Sequence, residues 1–184
     1  TGMQGVGKTT FIKQLYKLKE NEILPENLGT GEQIPILITE SDISGFKTEI
    51  YKLELKNNEI SLEKTEVSKE DFMKVSKNPK DVDVFLELTV PYKYFSNSDI
   101  SFLLLPGFDE YNEKDYWQFL TKYSLINSAN FIYVLNESTN AKGINKKYMD
   151  EFFEDFSDSK PLFVLSKSDE SKDNNKGLSE IIFK

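Results

Sequence analysis

The sequence predicts an α/β fold, a doubly wound and mostly parallel sheet with an antiparallel edge and a hairpin insertion, and three observations predict it. Short runs that are apolar almost throughout, Pro35–Thr39, Ile100–Leu105, Phe131–Leu135 and Pro161–Leu165, alternate with stretches whose apolar residues recur at helical spacing. The chain opens on Thr1-Gly2-Met3-Gln4-Gly5-Val6-Gly7-Lys8-Thr9-Thr10, in which Gly2 through Thr9 fit G-x-x-x-x-G-K-[ST] at every fixed position. The remaining motif candidates fall at the ends of apolar runs, where open α/β sheets bind their ligands.

In chain order, Phe11, Ile12, Leu15 and Leu18 mark a helix from Thr9 to about Asn21. Leu24–Gln33, with Pro25, Gly29 and Gly31, reads as a loop, and Pro35–Thr39 as a short buried strand. Glu49–Leu55 alternates, and Glu59–Leu62 follows across Asn57-Asn58, which predicts a β-hairpin. Ser68, with Asp71 three residues on, caps a short helix that ends before Pro79. From Val82 to Val90 apolar residues alternate strictly with Asp83, Phe85, Glu87 and Thr89, the pattern of a half-exposed antiparallel edge strand. Ile100–Leu105, broken by Pro106-Gly107, reads instead as a central strand covered on both faces. A helix over Lys114–Asn127, a strand over Phe131–Leu135, a helical stripe from Ile144 to Phe156 and a strand over Pro161–Leu165 complete the alternation, and Ser168–Lys176 is a solvated loop. Only Thr1 precedes the first loop and an amphipathic helix is beginning at Lys184, so a single domain truncated at both ends is expected, its first strand and its last elements missing.

Composition removes several chemistries. The chain has 184 residues, no Cys and no His, and all 23 basic residues are Lys. Disulfides, thiolate nucleophiles and imidazole acid–base catalysis are excluded, and the segment supplies no arginine finger to a transferring phosphate. A formal charge of −8 argues against a nucleic-acid groove. No apolar run approaches the ~18 residues of a membrane span, so a cytoplasmic location is expected.

The opening motif is a phosphate-binding loop. Its glycines allow backbone N–H groups to converge on phosphate oxygens, Lys8 reaches the β- and γ-phosphates, and Thr9 offers its hydroxyl to Mg²⁺. Gly2, Gln4, Gly5, Val6, Gly7, Lys8, Thr9 and Thr10 are the expected nucleotide contacts. Ser166-Lys167-Ser168-Asp169 stands where [NT]-K-x-D is placed in guanine-nucleotide proteins: the Asp169 carboxylate would accept from the two donors on the guanine edge, Lys167 would cover the base, and Ser166 replaces Asn or Thr. Leu104-Leu105-Pro106-Gly107 occupies the place of D-x-x-G. Gly107 keeps the position that meets the γ-phosphate, but Leu104 stands where a carboxylate would hold Mg²⁺ through water, and the nearest carboxylate, Asp109, lies just past the turn.

On these residues, and on Phe102–Phe108, Phe131–Leu135 and Phe163–Asp169, the chain resembles the GTPase domain of the dynamin superfamily, most closely the bacterial dynamin-like proteins. The interval of about 95 residues from Thr9 to Leu104 fits that resemblance better than it fits small Ras-like domains. The resemblance implies a P-loop NTPase G domain that binds GTP or GDP with Mg²⁺. It implies hydrolysis with Gln4, Lys8 and Thr30 as catalytic residues, and Thr9 and Thr30 as metal ligands. Gly5 replaces a Ser that helps to hold a monovalent cation in dynamins. Self-association through the domain and peripheral membrane contact through regions outside this segment are implied as well. The opening loop is also similar to that of the signal recognition particle GTPases, but their D-T-A-G-R has no counterpart here. Two other functions stay open on the residues alone: a degenerate domain that binds guanine nucleotide without useful turnover, and a loop that takes ATP.

Overall fold

The computed structural model describes residues 2, 4–19, 23–24, 32–56, 59–96, 100–107, 126, 128, 130–136, 150, 154 and 160–166. The helices predicted over Lys114–Asn127 and Ile144–Phe156 lie outside them apart from Ile126, Asp150 and Glu154, as does the loop Ser168–Lys176. The chain forms two compact units, Thr9–Gly107 and Thr1–Lys8 with Phe108–Lys184.

Helix α1 (Lys8–Tyr16, beginning one residue earlier than predicted) enters the first unit at Thr9 and leads there to β1 (Ile36–Ser41), β2 (Lys47–Lys56), β3 (Glu59–Glu66), α2 (Lys69–Lys77), β4 (Asp83–Pro91) and β5 (Phe102–Leu104). The five strands make one sheet in the order β3-β2-β4-β1-β5. Only β1 and β4 run parallel in it; the β2–β3, β2–β4 and β1–β5 pairs are antiparallel. This overturns the predicted doubly wound, mostly parallel sheet of a P-loop NTPase G domain: the sheet is mixed, and two short helices accompany it among the described residues. The cause lies in the strands. β2, β3 and β4 bring charged residues into the sheet, Glu49, Lys64 and Glu87 among them on one face, and that face offers no apolar layer for helices to cover.

Two placements change with the topology. β4 is not an edge strand but the third of five, between β2 and β1. β5 is not a central strand; it is three residues long and closes the sheet edge against β1, with Ile38 opposite Phe102 and Ile36 opposite Leu104.

The dry face of the sheet is read directly from register. Ile36, Ile38, Ile50, Leu86, Leu88 and Leu104 are buried and lie opposite one another in pairs across β1, β2, β4 and β5. α1 reaches this face through Tyr16, whose ring meets Phe102 edge-on with centroids 6.2 Å apart. α2 packs against β2 and β4 and buries Phe72 completely. Its start is as the sequence indicates: the Ser68 hydroxyl accepts the Asp71 N–H at 3.1 Å, Glu70 and Asp71 occupy the first turn, and Lys74 and Lys77 occupy the last. α1 stops earlier than predicted, at Tyr16, because Lys17 turns left-handed (φ 55°) and the Leu18 N–H closes onto the Lys13 carbonyl at 2.9 Å.

The opposite face is polar yet shielded. Glu49 and Glu87 stand opposite each other across β2 and β4, a like-charge pair that would repel. Lys64 on β3 lies 2.9 Å from a carboxylate oxygen of each, Lys47 lies 2.7 Å from Glu49, and Glu87 also accepts from Tyr51 (2.7 Å) and Thr39 (3.0 Å). Burial pushes the Glu87 carboxyl up, but the hydrogen bonds from Lys64, Tyr51 and Thr39 outweigh it and hold it below the usual carboxylate range.

Glu40, on β1, fastens the segment after β4. Its carboxylate accepts the backbone N–H groups of Lys93 (2.7 Å), Tyr94 (2.8 Å) and Phe95 (2.9 Å) and the Tyr16 hydroxyl (2.9 Å). Desolvation works against the ionised form there, and these donors more than offset it, so the carboxyl titrates below its ordinary value.

In the second unit, β6 (Ile132–Asn136) and β7 (Leu162–Ser166) pair in parallel, Ile132 opposite Leu162 through Asn136 opposite Ser166. Both are the strands expected from Phe131–Leu135 and Pro161–Leu165, each displaced by one residue.

Candidate phosphate-binding site

The loop Gly2–Lys8 lies against the C-terminal half of this parallel pair. Gly2 (φ 144°), Gly5 (φ 74°) and Gly7 (φ 92°) all occupy the region of backbone space that side chains avoid. At two of them space is short as well. A Cβ on Gly2 would stand 2.5 Å from the Val134 carbonyl oxygen, and one on Gly7 would stand 3.3 Å from Cβ and Oγ of Ser166. The glycines are therefore required by the fit of the loop to β6 and β7. Val6 is buried beneath the loop, while Gln4 is half-buried and Gly5 exposed.

Lys8 is turned back into the loop: only 7% exposed, it donates from Nζ to the Gly2 carbonyl at 3.0 Å. The ammonium thus lies against the backbone of a loop that carries three glycines at positive φ. Ser166 flanks the loop. Its hydroxyl faces the Val6 and Leu135 carbonyls, the second at 3.0 Å, so its single proton ties β7 to the loop or to β6. The sequence places Ser166 among the nucleotide contacts, and the structure sets its hydroxyl against the backbone of the loop and of β6. Gly7→Ala should cost roughly 1–2 kcal/mol, because the new methyl must displace Ser166 and the residue must hold a left-handed φ; a thermal melt of the variant checks this, and an unchanged midpoint would refute the packing described.

In the other unit, Thr9 and Thr10 lie in the first turn of α1, Thr10 exposed. The Thr9 hydroxyl donates to Oε1 of Glu32 at 2.5 Å. Sequence reasoning missed Glu32: a single Glu behind a glycine-rich loop has no spacing that marks it. Leu104, at the D-x-x-G aspartate position, is 5% exposed and paired with Ile36, which makes it a residue of the dry core. Gly107 follows β5 and is half-buried. Thr30, Lys167, Asp169 and Asp109 lie outside the described residues. Among the described residues no group of three or more His, Cys, Asp or Glu side chains could hold a metal by itself. No helix of the described residues is long and apolar enough to cross a membrane.

No family model matches the chain, and no curated protein matches it.

Proposed function

We propose that the chain binds GTP with Mg²⁺ and hydrolyses its γ-phosphate. The observation that carries this reading is the loop Gly2–Lys8, with three glycines at positive φ and a buried Lys8 whose ammonium donates to the Gly2 carbonyl. The loop's N–H groups and Lys8 would hold the β- and γ-phosphates, Gln4 would orient the attacking water, and Asp169 would select guanine over adenine, with Lys167 on the base. Thr9 and Thr30 would hold Mg²⁺, which supplies charge neutralisation to the phosphates when bound. The motif resemblance to dynamin-like proteins supports self-association and contact with a membrane through regions outside this segment.

A second reading, binding without turnover, is favoured by one observation. Leu104 is committed to the core beside Ile36, so no carboxylate enters from that position, and the segment contains no Arg. Equilibrium binding and single-turnover phosphate release, measured on the full-length protein with GTP and with ATP, separate the readings. Tight GTP binding with phosphate release is expected. Binding without release would leave the switch reading, and equal affinity for ATP and GTP would remove the role of Asp169.

A further inference from the structure

The missing D-x-x-G carboxylate directs attention to a carboxylate that the structure places elsewhere. Glu32 is only 4% exposed, and it receives the Thr9 hydroxyl proton at 2.5 Å. Thr9 is the residue that the loop motif assigns to the cation. A threonine hydroxyl has one proton and two lone pairs, so donating to Glu32 aims those lone pairs away from the carboxylate and leaves them free to meet a cation. Glu32 shows a second feature: among the described residues it takes part in no ion pair, and its recorded hydrogen bond is the one from Thr9. A carboxylate this far from water calls for a compensating cation, and Mg²⁺ sites in nucleotide proteins use one or two carboxylates together with phosphate oxygens rather than an all-protein cage.

Resting on the nucleotide reading above, we infer that Glu32 is the acidic partner of the Mg²⁺ site, a positioning residue that fixes the Thr9 hydroxyl and supplies the negative charge that Leu104 does not. Its effect is on the cation and not on the phosphates. The ratio of GDP affinity with Mg²⁺ to GDP affinity in EDTA should therefore fall about tenfold in Glu32→Gln, while the EDTA affinity holds or rises slightly. Thr9→Val should lower the ratio similarly, and Glu32→Gln added to it should change little more, because both act through one contact.

The test is calorimetric titration of GDP into the parent chain and these variants, with and without Mg²⁺, on proteins whose circular dichroism matches the parent. Should Glu32→Gln fail to fold, Glu32→Asp keeps the charge on a shorter arm and should still lose threefold or more of the ratio. A Glu32 that merely capped α1 would lower the melting temperature and leave the ratio intact, and that result overturns the inference while the nucleotide reading stands. A parent chain that binds no nucleotide in either condition overturns both.

Discussion

Lys8→Ala should abolish measurable GTP binding, with affinity falling at least 100-fold. The Lys8 ammonium is buried within the loop and donates to the Gly2 carbonyl. On the proposed reading it exchanges that carbonyl for β- and γ-phosphate oxygens, and each hydrogen bond to a charged group contributes about 1.5–3 kcal/mol. Two such bonds amount to about 3–6 kcal/mol, which is roughly two to four orders of magnitude in affinity. The tie to Gly2 is a separate and smaller matter. Losing one neutral acceptor's partner costs about 1 kcal/mol, so the variant should stay folded. Titration calorimetry with GTP, alongside a thermal melt, reads both quantities; unaltered affinity in a folded variant would refute the assignment of the site.

Local structure was legible wherever a single residue type left the backbone one choice. Ser68 with Asp71 marked α2, alternation across Asn57-Asn58 marked the β2–β3 hairpin, and the apolar runs marked β6 and β7 to within a residue. What sequence periodicity does not encode is which strand lies beside which. Strict alternation in β4 indicates one polar face, and the simplest home for a polar face is a sheet edge. The structure finds another: the polar face of β4 is met by Tyr51 and Lys64 from the hairpin, so the strand sits inside the sheet. The run Ile100–Leu105, apolar but for Ser101, misled in the opposite direction. Of its six residues only Phe102–Leu104 pair, and one neighbouring strand and one dry face account for their apolar character.

The same division holds at the candidate site. Glycine spacing and Lys8 identified the loop, because few other sequences allow three positive φ angles in six residues. Glu32 escaped, since its importance comes from lying 2.5 Å from a residue 23 positions earlier in the chain. Ser166 was legible as a position, but its partners, Val6 and Leu135, were not.

Glu87→Ala is the variant expected to damage the sheet unit most, by roughly 2–3 kcal/mol. Glu87 is 8% exposed and accepts from Thr39, Tyr51 and Lys64. Removing it strands the Tyr51 hydroxyl and half of the Lys64 charge, and breaking a buried charged network by deleting one member costs more than the network's net worth. Full buried-pair figures of about 3–5 kcal/mol do not apply, because the Lys64 side chain is 40% exposed and keeps Glu49 and water. Glu87→Gln should cost less, since an amide oxygen still accepts from Tyr51.

The acid limb gives an independent check. The folded Glu87 carboxyl titrates below its unfolded value, so its contribution is present above the ordinary Glu range near ~4.3 and is lost as pH falls through the lowered folded value. Urea unfolding between neutral pH and pH 3 should therefore show a shallower loss of stability in Glu87→Ala than in the parent, with the remainder carried by Glu40 and Glu49, which are lowered too. Parallel pH profiles would exclude the network as the source of acid sensitivity. The expected result also bears on the fold: a face held by Thr39, Tyr51, Lys64 and two carboxylates has no use for a covering helix layer, so the charges that stabilise this sheet are the same charges that keep it from being doubly wound.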